Sequence, residues 1–453
     1  MGLTLGTALR LRPRSAAFHP EDGAVYASVA FVGAGGKTTA LFKLARELPV
    51  RTLVACTTHL GAWQLGQADE AIVARTPADL SNLGAGKITV VTGPLEAGQR
   101  LSSVAPEILA FLRQRSLASG WPLLIEADGA RERPLKAPRE REPQLPPFVE
   151  MVVVVAGLQG LGRPLDGDSV HRPEVFGRLA GIEPGSPITG RSIGTVLAHP
   201  EGGQKEIPAR ARRVALLNQA DTPELQAEAH HIARQIGGSY DGIVVAALRE
   251  DKIYAVHEPR AGIVLAAGGA RRFGGLKQML PWRGEPLVRT AILAAVKAGL
   301  SPIVLVVGAG SEDVEQAVSD LPVVVAKNSR WEMGQSSSIQ AGVDACPPSI
   351  CAAVFLLADQ PYIGPELVRA LVDAHASETA AIVAPLIQGD RPGNPVLFDR
   401  ETFPELRALQ GDTGGRAVFS KHRVHYVPWH DDRIARDIDT TEDYRRLLEE
   451  DHP

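Results

Sequence analysis

Two segments of this sequence share the same order: a short apolar run, a glycine-rich turn and a helix-like stretch. The first is ASVAFVGAGGKTTALFKLA and the second is GIVLAAGGARRFGGLK. A strand followed by a glycine loop and a helix normally opens a parallel α/β fold. Two such openings predict two domains, and we place their boundary so that they span residues 1–259 and 260–453.

Short β-branched runs recur between helix-like stretches in both halves. Continuous apolar runs of this length are typical of strands covered on both faces. The 453 residues also exceed the roughly 100 to 200 of one ordinary domain. The pattern predicts that both domains are α/β and built on parallel sheets. The runs are ASVAFV, TLVACT, ITVVTG, PLLIEA, MVVVVA, RVALLN, GIVLAA, PIVLVVG, PVVVA, CAAVFLLA and AAIVAP.

Composition argues against several classes of partner. Lysine and arginine number 48 against 52 acidic residues, so the charge favours neither nucleic acid nor an anionic membrane surface. No apolar run approaches the ~20 residues that span a bilayer, and the start lacks an apolar signal region, so we expect a cytoplasmic protein. Cys56, Cys346 and Cys351 form no CxxC pair, which argues against a disulfide framework or a structural zinc site.

The glycine-rich segment of the second half has the chemistry of a polyphosphate site. Glycines leave room for backbone N–H groups to close around phosphates. Arg272 and Lys277 add cations, because a guanidinium can bind two phosphate oxygens and an ammonium supplies a movable charge. The glycines are Gly268, Gly269, Gly274 and Gly275.

This segment resembles the opening motif of the molybdenum cofactor nucleotidyltransferases, LAAG or LAGG followed by an arginine and a lysine. Ala270 stands where serine is usual, and Phe273 where methionine is usual. The resemblance extends over nearly all of residues 262–450. It implies a Rossmann-like nucleotidyltransferase fold of the GT-A type, with three α/β/α layers. The matching positions are Leu265, Ala266, Ala267, Gly268, Arg272, Gly274 and Lys277. The residues of this half that we assign to the nucleotide, besides Ser337, are Leu265, Ala266, Ala267, Gly268, Gly269, Gly274, Lys277 and Asp359.

A carboxylate follows an apolar run in VFLLADQP. We therefore expect Asp359 at the carboxyl edge of the sheet, where ligands bind in open α/β folds. Mg²⁺ prefers hard oxygen ligands and usually takes one or two carboxylates. RDIDTTEDY resembles the closing IDTPED motif of the same family, which implies Asp439 rather than Asp437 as the second magnesium ligand. Asp443 is expected to cap a helix or to be solvated.

Nucleotidyl transfer of this kind needs no protein nucleophile. The acceptor phosphate attacks the α-phosphorus of the nucleotide and expels pyrophosphate, so positioning and charge stabilisation carry the rate. We therefore predict Arg272, Lys277 and Asp359 as the catalytic residues.

Three further segments resemble parts of this family. GQSSSIQAG is similar to its substrate-side loop and helix start, where Ser336 to Ser338 either cap the helix or present hydroxyls to an anion. We assign Ser337 to the nucleotide. GDRPGNPVLF and GDTGGRAVF match segments that surround the acceptor. The acceptor-binding residues implied by these matches are Gly393, Asn394, Asp412 and Arg416.

The resemblance also indicates the nucleotide. In this family LAAG and a later DQP accompany cytidine transfer, whereas LAGG and DMP accompany guanine transfer. Ala267 and the triplet from Asp359 to Pro361 are of the first type, and a methyl group on Ala267 would crowd a purine more than glycine would. CTP and either molybdopterin or the molybdenum cofactor are the implied substrates, and a molybdenum hydroxylase apoenzyme or its chaperone is the implied protein partner.

The first glycine segment has the order of a P-loop: strand, glycines, lysine, hydroxyl residue and helix. Phe31 replaces the first glycine of the pattern GxxxxGK[ST]. Thr38 is predicted to hold Mg²⁺ through its hydroxyl. PLLIEADG places Glu126 and Asp128 after an apolar strand, where a Walker-B carboxylate would lie. The predicted loop residues are Gly33, Gly35, Gly36, Lys37, Thr38 and Thr39.

Two other segments of the first half indicate function. VALLNQAD resembles the guanine-reading NKxD motif, so Asn218 and Asp221 either read a base or belong to an ordinary strand end, which leaves GTP and ATP open. The stretch from EADGARERPLKAP to VHRPEVF resembles the YqeC family, accessory proteins linked to selenium-dependent molybdenum hydroxylases. Lys136, His171 and Arg172 occupy motif positions of that family, and the sequence does not define their roles.

The leading hypothesis is a bifunctional maturation enzyme, in which the second domain makes a cytosine dinucleotide cofactor and the P-loop domain prepares or delivers it. A second hypothesis is nucleotidyl transfer to another phosphorylated small molecule. A third is a chaperone that binds the finished cofactor and uses a nucleotide as a switch. Release of pyrophosphate distinguishes the first two from the third, and a screen of acceptors distinguishes the first from the second.

Overall fold

The chain, as a computed structural model, divides into two compact units, Met1–His257 and Glu258–Pro453. The structure describes residues 3–11, 28–81, 83–96, 100–268, 275–308, 310–388 and 391–450. No helix in these ranges is long and apolar enough to cross a membrane. Each unit has a large sheet of its own.

The N-terminal unit is built on a nine-stranded sheet, with two small sheets beside it. Its strands are β1 (Ser28–Gly33), β2 (Thr52–Cys56), β3 (Leu60–Gly61), β4 (Glu70–Val73), β5 (Ile88–Thr92), β6 (Leu95–Glu96), β7 (Arg100–Leu101), β8 (Leu123–Glu126), β9 (Leu135–Lys136), β10 (Met151–Gly157), β11 (Val170–His171), β12 (Arg212–Asn218), β13 (Gly242–Ala247) and β14 (Lys252–His257). Its helices are α1 (Leu5–Ala8), α2 (Lys37–Glu47), α3 (Pro106–Ser119), α4 (Pro173–Ala180), α5 (Gly190–Ala198) and α6 (Pro223–Ile236).

The large sheet of this unit is parallel except at one edge. Its strand order is β14-β13-β12-β10-β1-β8-β2-β5-β4, and only β14 runs antiparallel to its neighbour among the described strands. Every residue of β10 is buried, as expected for a strand covered on both faces. Because β1 lies beside β8, the glycine loop after β1 is next to the residues that follow β8.

The turn after β1 requires glycine at two positions. Gly33 has a φ of +94°, and a Cβ there would lie 2.2 Å from Val155 O. Gly35 has a φ of +82°, and a Cβ there would lie 2.3 Å from Gly157 N. The loop can therefore pack against the end of β10 only because both residues lack a side chain.

The C-terminal unit is built on an eight-stranded sheet and a small hairpin. Its strands are β15 (Arg260–Ala266), β16 (Pro281–Trp282), β17 (Glu285–Pro286), β18 (Ile303–Val307), β19 (Val323–Lys327), β20 (Ala352–Leu357), β21 (Ile382–Ile387), β22 (Arg391–Pro392), β23 (Val396–Asp399) and β24 (Val424–Pro428). Its helices are α7 (Leu287–Lys297), α8 (Ser311–Ala317), α9 (Gln335–Asp344), α10 (Pro365–Glu378), α11 (Phe403–Arg407) and α12 (Thr441–Glu450).

The C-terminal sheet is mixed. The strands β19, β18, β15 and β20 are parallel neighbours, whereas β23 pairs antiparallel with both β20 and β21. The prediction of parallel sheets therefore misses three strands, β14, β22 and β23. The connections from β13 to β14 and from β21 to β22 and β23 are short, and a parallel return needs a crossover of a dozen or more residues.

Helices cover both faces of this sheet. Val264 and Ile263 of β15 belong to two different cores, because successive side chains of a strand point to opposite faces. Helices α7 and α10 contribute to the first core, and α9 and α11 to the second. The unit has the three α/β/α layers that the family resemblance implied.

Candidate functional site

A cavity of about 490 Å³ lies where β15 ends in the C-terminal unit. Lys277 and Asp359 both line it, together with the LAAG turn. The cavity therefore brings together the described residues predicted for the nucleotide, apart from Ser337. The lining residues of the turn are Leu265, Ala266, Ala267 and Gly268. The predicted residues that lie outside the described ranges are Gly269, Arg272 and Gly274.

Lys277 joins the two carboxylates predicted to bind magnesium. Its Nζ lies 2.5 Å from Asp359 Oδ2 and 3.0 Å from Asp439 Oδ1. Two carboxylates that converge on one cation form a donor set that fits Mg²⁺, which takes one or two protein carboxylates and completes its shell with phosphate and water. Within the described ranges, no larger group of His, Cys, Asp and Glu has the arrangement of a metal site.

The charges around Lys277 keep it protonated. Burial alone would lower the pKa of Lys277, but its attraction to Asp359 and its hydrogen bonds with Asp359 and Asp439 raise the pKa. Asp437 lies beside this group, and its Oδ1 accepts a 2.5 Å hydrogen bond from Gln360 Nε2. Burial raises the pKa of Asp437 against this bond, and the charges of Asp359 and Asp439 add to the rise. The site thus holds a lysine cation among three acidic residues.

A backbone hydrogen bond brings together the two segments that carry the carboxylates predicted to bind magnesium. The N–H of Ile438 donates to the carbonyl oxygen of Asp359 at 3.1 Å, so the segment that carries Asp439 lies beside the end of β20. Asp443 accepts hydrogen bonds from the N–H groups of Asp439 and Thr440 at the start of α12. Asp443 therefore caps the helix, one of the two roles expected for it.

The serine-rich helix start differs from the prediction. Gly334 is the N-cap of α9, and it has no side chain with which to cap the helix. Ser337 is 4% exposed, and its Oγ lies 2.8 Å from Gly334 O and 2.9 Å from Arg330 O. Of the two alternatives for the serines, capping does not occur: Gly334 holds the N-cap position, where the φ of +103° favours glycine, and the three serines lie within the helix. Ser337 uses its hydroxyl within the protein, whereas Ser338 lines the cavity.

A second cavity, of about 810 Å³, adjoins the first. All four residues predicted to bind the acceptor line it. Asp412 belongs to both cavities, and its Oδ1 accepts a 3.2 Å hydrogen bond from the N–H of Gln335 at the start of α9. The predicted acceptor residues are Gly393, Asn394, Asp412 and Arg416. The residues common to the two cavities are Leu265, Gln335, Leu357 and Asp412.

Several residues of the second cavity were not predicted. Arg391 is exposed at the cavity and adds a second arginine to Arg416. Phe355 and Phe398 line the cavity with their ring centroids 5.5 Å apart. Arg391 belongs to the motif GDRPGNP, so a role at the acceptor could have been predicted for it from the sequence. The two phenylalanines lie in apolar runs and look like ordinary core residues in the sequence. Two cations and an apolar wall suit a ligand that has an anionic group and an apolar body.

The glycine loop of the N-terminal unit surrounds its own lysine. Lys37 Nζ donates to Gly33 O at 2.7 Å and lies 3.1 Å from Asp128 Oδ1. Thr38 Oγ1 donates to Glu126 Oε2 at 3.0 Å. The two candidate Walker-B carboxylates therefore have different partners: Glu126 contacts the hydroxyl, and Asp128 contacts the lysine. The remaining predicted loop residues, which complete the turn and begin α2, are Gly35, Gly36 and Thr39.

A buried chain of charges leads from this loop towards α4. Lys136 Nζ lies 2.8 Å from Asp128 Oδ2 and 2.7 Å from Glu142 Oε2. Arg172 donates two hydrogen bonds to Glu142, at 2.8 Å and 2.9 Å. Burial, together with the charges of Arg172 and Lys136, lowers the pKa of His171 to about 4, so its ring is neutral at pH 7. Lys136 and Arg172 thus neutralise buried carboxylates.

The two predicted base-reading residues have partners within the protein. Asn218 is 3% exposed; its Nδ2 donates to Gly35 O at 2.8 Å, and its Oδ1 accepts from Leu248 N at 3.1 Å. Asp221 accepts a 2.9 Å hydrogen bond from Gln159 Nε2. Of the two alternatives for this segment, the geometry favours an ordinary strand end that supports the glycine loop.

Stability at acid pH is expected to depend on Glu142. Burial alone would raise its pKa, but hydrogen bonds with Arg172 and Lys136 lower the pKa from 4.5 to about 2. A carboxyl group with a lowered pKa in the folded state stabilises the protein above its unfolded-state pKa and loses this contribution as the pH falls. The free energy of unfolding should therefore decline between about pH 4.5 and 2.

Urea denaturation at a series of pH values measures this decline. In Glu142→Gln the part of the decline that belongs to Glu142 should be missing, so its stability should change less steeply with pH. Equal pH dependence in the two proteins would contradict the assignment.

Comparisons with known proteins identify both halves. A family described as "MobA-like NTP transferase domain" matches residues 262–426, and a family described as "YqeC protein" matches residues 29–174. YqeC of Escherichia coli (strain K12) is 33% identical over 199 residues, which cover 42% of this chain and 75% of that protein. These matches confirm the two family resemblances seen in the sequence.

Two further relatives have named activities. Nicotine blue oxidoreductase of Paenarthrobacter nicotinovorans is 30% identical over 198 residues, 41% of this chain and 95% of the relative. Molybdenum cofactor cytidylyltransferase of Escherichia coli (strain K12) is 26% identical over 183 residues, 40% of this chain and 92% of the relative. The chain therefore belongs, in its N-terminal half, to the YqeC family and, in its C-terminal half, to the MobA-like NTP transferase family, and it is a nucleotidyltransferase.

Proposed function

We propose that the C-terminal unit is a molybdenum cofactor cytidylyltransferase. It transfers CMP from CTP to the terminal phosphate of molybdopterin or of the molybdenum cofactor, and it releases pyrophosphate. The N-terminal unit acts in the same maturation as an accessory P-loop domain, with a molybdenum hydroxylase apoenzyme or its chaperone as partner. Similarity to the cytidylyltransferase of Escherichia coli supports the first part, and the YqeC match supports the second.

The two joined cavities carry this proposal. The first contains the glycine turn, Lys277 and Asp359, which are suited to a nucleoside triphosphate. The second contains Arg391 and Arg416 beside an apolar wall, which suits an acceptor with a phosphate and a flat, largely apolar body. Because four residues line both cavities, ligands bound in them would be neighbours. A reaction between two ligands needs this arrangement.

The choice of CTP rests on the LAAG turn and the DQP triplet. Ala267 lines the nucleotide cavity, and its methyl group reduces the space beside the turn more than glycine would. Gln360, the middle residue of the triplet, holds Asp437 close to Asp359 through its 2.5 Å hydrogen bond. In the family that this half resembles, the same two features accompany cytidine transfer. They support CTP as the nucleotide.

Asp359 and Asp439 are the residues that would hold Mg²⁺. When bound, Mg²⁺ neutralises charge on the phosphates. Lys277 stays protonated and stabilises the negative charge on the α-phosphate and on the departing pyrophosphate. An oxygen of the acceptor phosphate forms a bond to the α-phosphorus while the bond between that phosphorus and the pyrophosphate oxygen breaks. The electron pair of the broken bond leaves with pyrophosphate.

Turnover by the purified full chain tests this proposal. The protein is incubated with Mg²⁺, molybdopterin and one nucleotide at a time: CTP, GTP, ATP or UTP. We expect pyrophosphate release and a molybdopterin cytosine dinucleotide, with kcat/KM for CTP at least about tenfold above that for the others, because a pocket discriminates ligand size by about 10- to 200-fold. Product masses identify the transferred nucleotide, and turnover with GTP but not CTP would overturn the base assignment.

Other outcomes of this assay point to other functions. Pyrophosphate release only with a different phosphorylated acceptor would favour nucleotidyl transfer to another small molecule. Absence of release with every nucleotide would favour a chaperone that uses the nucleotide as a switch. The same result would make an oxidoreductase activity the next one to assay, because the relative from Paenarthrobacter nicotinovorans is named as an oxidoreductase.

A further inference from the structure

Two carboxylates follow the same strand of the N-terminal unit, yet they contact different partners. We propose that this unit binds a nucleoside triphosphate with a divalent cation in its glycine loop, and that the two carboxylates have opposite effects on binding. Glu126 and Thr38 hold the cation. Asp128 is instead the counter-ion of Lys37, which moves from Asp128 to the phosphates when they bind. This inference concerns the N-terminal unit alone and is independent of the activity proposed for the C-terminal unit.

The loop itself has the features of a phosphate cradle. Gly33, Gly35 and Gly36 have φ values of +94°, +82° and +118°, backbone conformations that favour glycine. The N–H groups of Gly33, Ala34 and Gly35 donate to Asp128 Oδ2, Val155 O and Arg133 O, so the donors for a ligand come from the first turn of α2. Helix α2 begins directly after the glycines, so its N-terminus also faces the loop. The side chain of Lys37 is only 4% exposed. A buried cation beside the N–H groups of a helix N-terminus favours a polyanion as the ligand.

The cation site rests on Thr38 and Glu126. The threonine hydroxyl donates to Glu126 Oε2 at 3.0 Å and accepts a 3.1 Å hydrogen bond from Gln64 Nε2. Hydroxyl and carboxylate oxygens are the hard ligands that Mg²⁺ prefers, and phosphate oxygens complete its shell. Because Thr38 directly follows Lys37, a cation held here would lie next to the phosphates that the lysine binds.

The contacts of Asp128 suit a counter-ion. Its Oδ2 accepts a 2.9 Å hydrogen bond from the N–H of Gly33 and lies 2.8 Å from Lys136 Nζ. Its Oδ1 lies 3.1 Å from Lys37 Nζ, and among the described residues it accepts no hydrogen bond of good geometry. The contact with Lys37 is therefore the weaker of the two lysine contacts. When Lys37 leaves, Asp128 keeps one cation and one N–H donor, so no buried carboxylate loses all its partners.

Of the two lysines, only Lys37 is free to move. Lys136 is held on its other side by Glu142 at 2.7 Å and by Gly129 O at 2.6 Å, and its side chain is 1% exposed. The other partner of Lys37 is a carbonyl oxygen, a neutral acceptor that a charged phosphate oxygen readily replaces. The network thus contains one fixed cation and one transferable cation.

Equilibrium binding of the ATP analogue AMP-PNP and the GTP analogue GMP-PNP tests the proposal. The full chain carries Lys277→Met throughout, to weaken binding in the C-terminal cavity, and each titration is made with Mg²⁺ and with EDTA. Since Asn218 already uses both ends of its amide, we expect the two analogues to bind within about threefold of each other. Lys37→Met should weaken both by about a hundredfold.

The two carboxylates give opposite results in this assay. Glu126→Gln should weaken binding about tenfold in Mg²⁺ and leave binding in EDTA nearly unchanged, whereas Asp128→Asn should strengthen binding about tenfold in both. The matched control is Asp168→Asn, since that carboxylate is 89% exposed on the same unit. Weaker binding of Asp128→Asn only in Mg²⁺ would make Asp128 the cation ligand and overturn the proposal.

A second pair of variants keeps the test informative if a charge change unfolds the unit. Thr38→Ser retains the hydroxyl and should keep the gain in affinity that Mg²⁺ provides, and Thr38→Val should lose it. Circular dichroism confirms that each variant is folded. Equal effects of Mg²⁺ on Thr38→Val and Thr38→Ser, or tight binding by Lys37→Met, would refute a cation and triphosphate site in this loop.

Discussion

Asp359→Asn is expected to lower kcat for nucleotidyl transfer by about a thousandfold, the upper range for loss of one electrostatic group in an active site. Asp359 is 2.5 Å from Lys277 and lines the nucleotide cavity. The amide keeps the shape of the side chain but removes its charge. The substitution therefore weakens the binding of Mg²⁺ and the electrostatic attraction that positions Lys277.

The measurement is pyrophosphate release at saturating CTP. Asp373→Asn is the matched control, because Asp373 is an exposed aspartate on α10 of the same unit and lines neither cavity. It should retain full activity. A decrease of less than about tenfold in Asp359→Asn would exclude a direct role for this carboxylate in the reaction.

Lys136→Met should destabilise the N-terminal unit by about 3 to 5 kcal/mol, the usual cost of removing one partner from a buried ion pair. The side chain of Lys136 is 1% exposed, and those of its partners Asp128 and Glu142 are 3% and 8% exposed. Methionine fills similar space but leaves two buried carboxylates with one cation fewer. Arg172 still pairs with Glu142 and Lys37 still pairs with Asp128, so each carboxylate keeps one cation and loses the other.

Chemical denaturation of the full chain, followed by a probe in the N-terminal unit, measures this effect. Arg133→Met provides the comparison: its ion pair with Asp168 leaves the two side chains 38% and 89% exposed. An exposed pair of this kind contributes about 1 kcal/mol or less. If the two variants lost equal stability, the buried chain of charges would have no special role in the fold.

The central strands were predictable from the sequence, and some edge strands were not. A strand covered on both faces must be continuously apolar, so MVVVVA stands out and becomes the wholly buried β10. In β14 and β24 the residues are mostly half-buried or exposed, and their sequences, KIYAVH and VHYVP, contain only short apolar runs. The direction of such a strand and the strand it pairs with depend on the length of the connection before it. That length is known only once the ends of both strands are located in the folded chain.

At the candidate sites, residue types were predictable but many partners were not. A glycine turn after a strand is a local feature, and the sequence contains both examples. In contrast, the contact between Thr38 and Glu126 joins residues 88 positions apart, so nothing local distinguishes Glu126 from Asp128. Ser337 likewise lies within a loop motif, but packing turns its hydroxyl towards backbone carbonyl groups. Such orientations depend on long-range packing.

The two cavities of the C-terminal unit share Leu265, Gln335, Leu357 and Asp412. A molecule in either cavity therefore contacts side chains that the other molecule also needs. Under the proposed function, the affinity for CTP and the affinity for its acceptor are linked, and linkage requires each to change the other by the same factor. The dissociation constant of the second substrate thus depends on whether the first is bound, and the apparent KM for CTP is expected to change with the concentration of the acceptor.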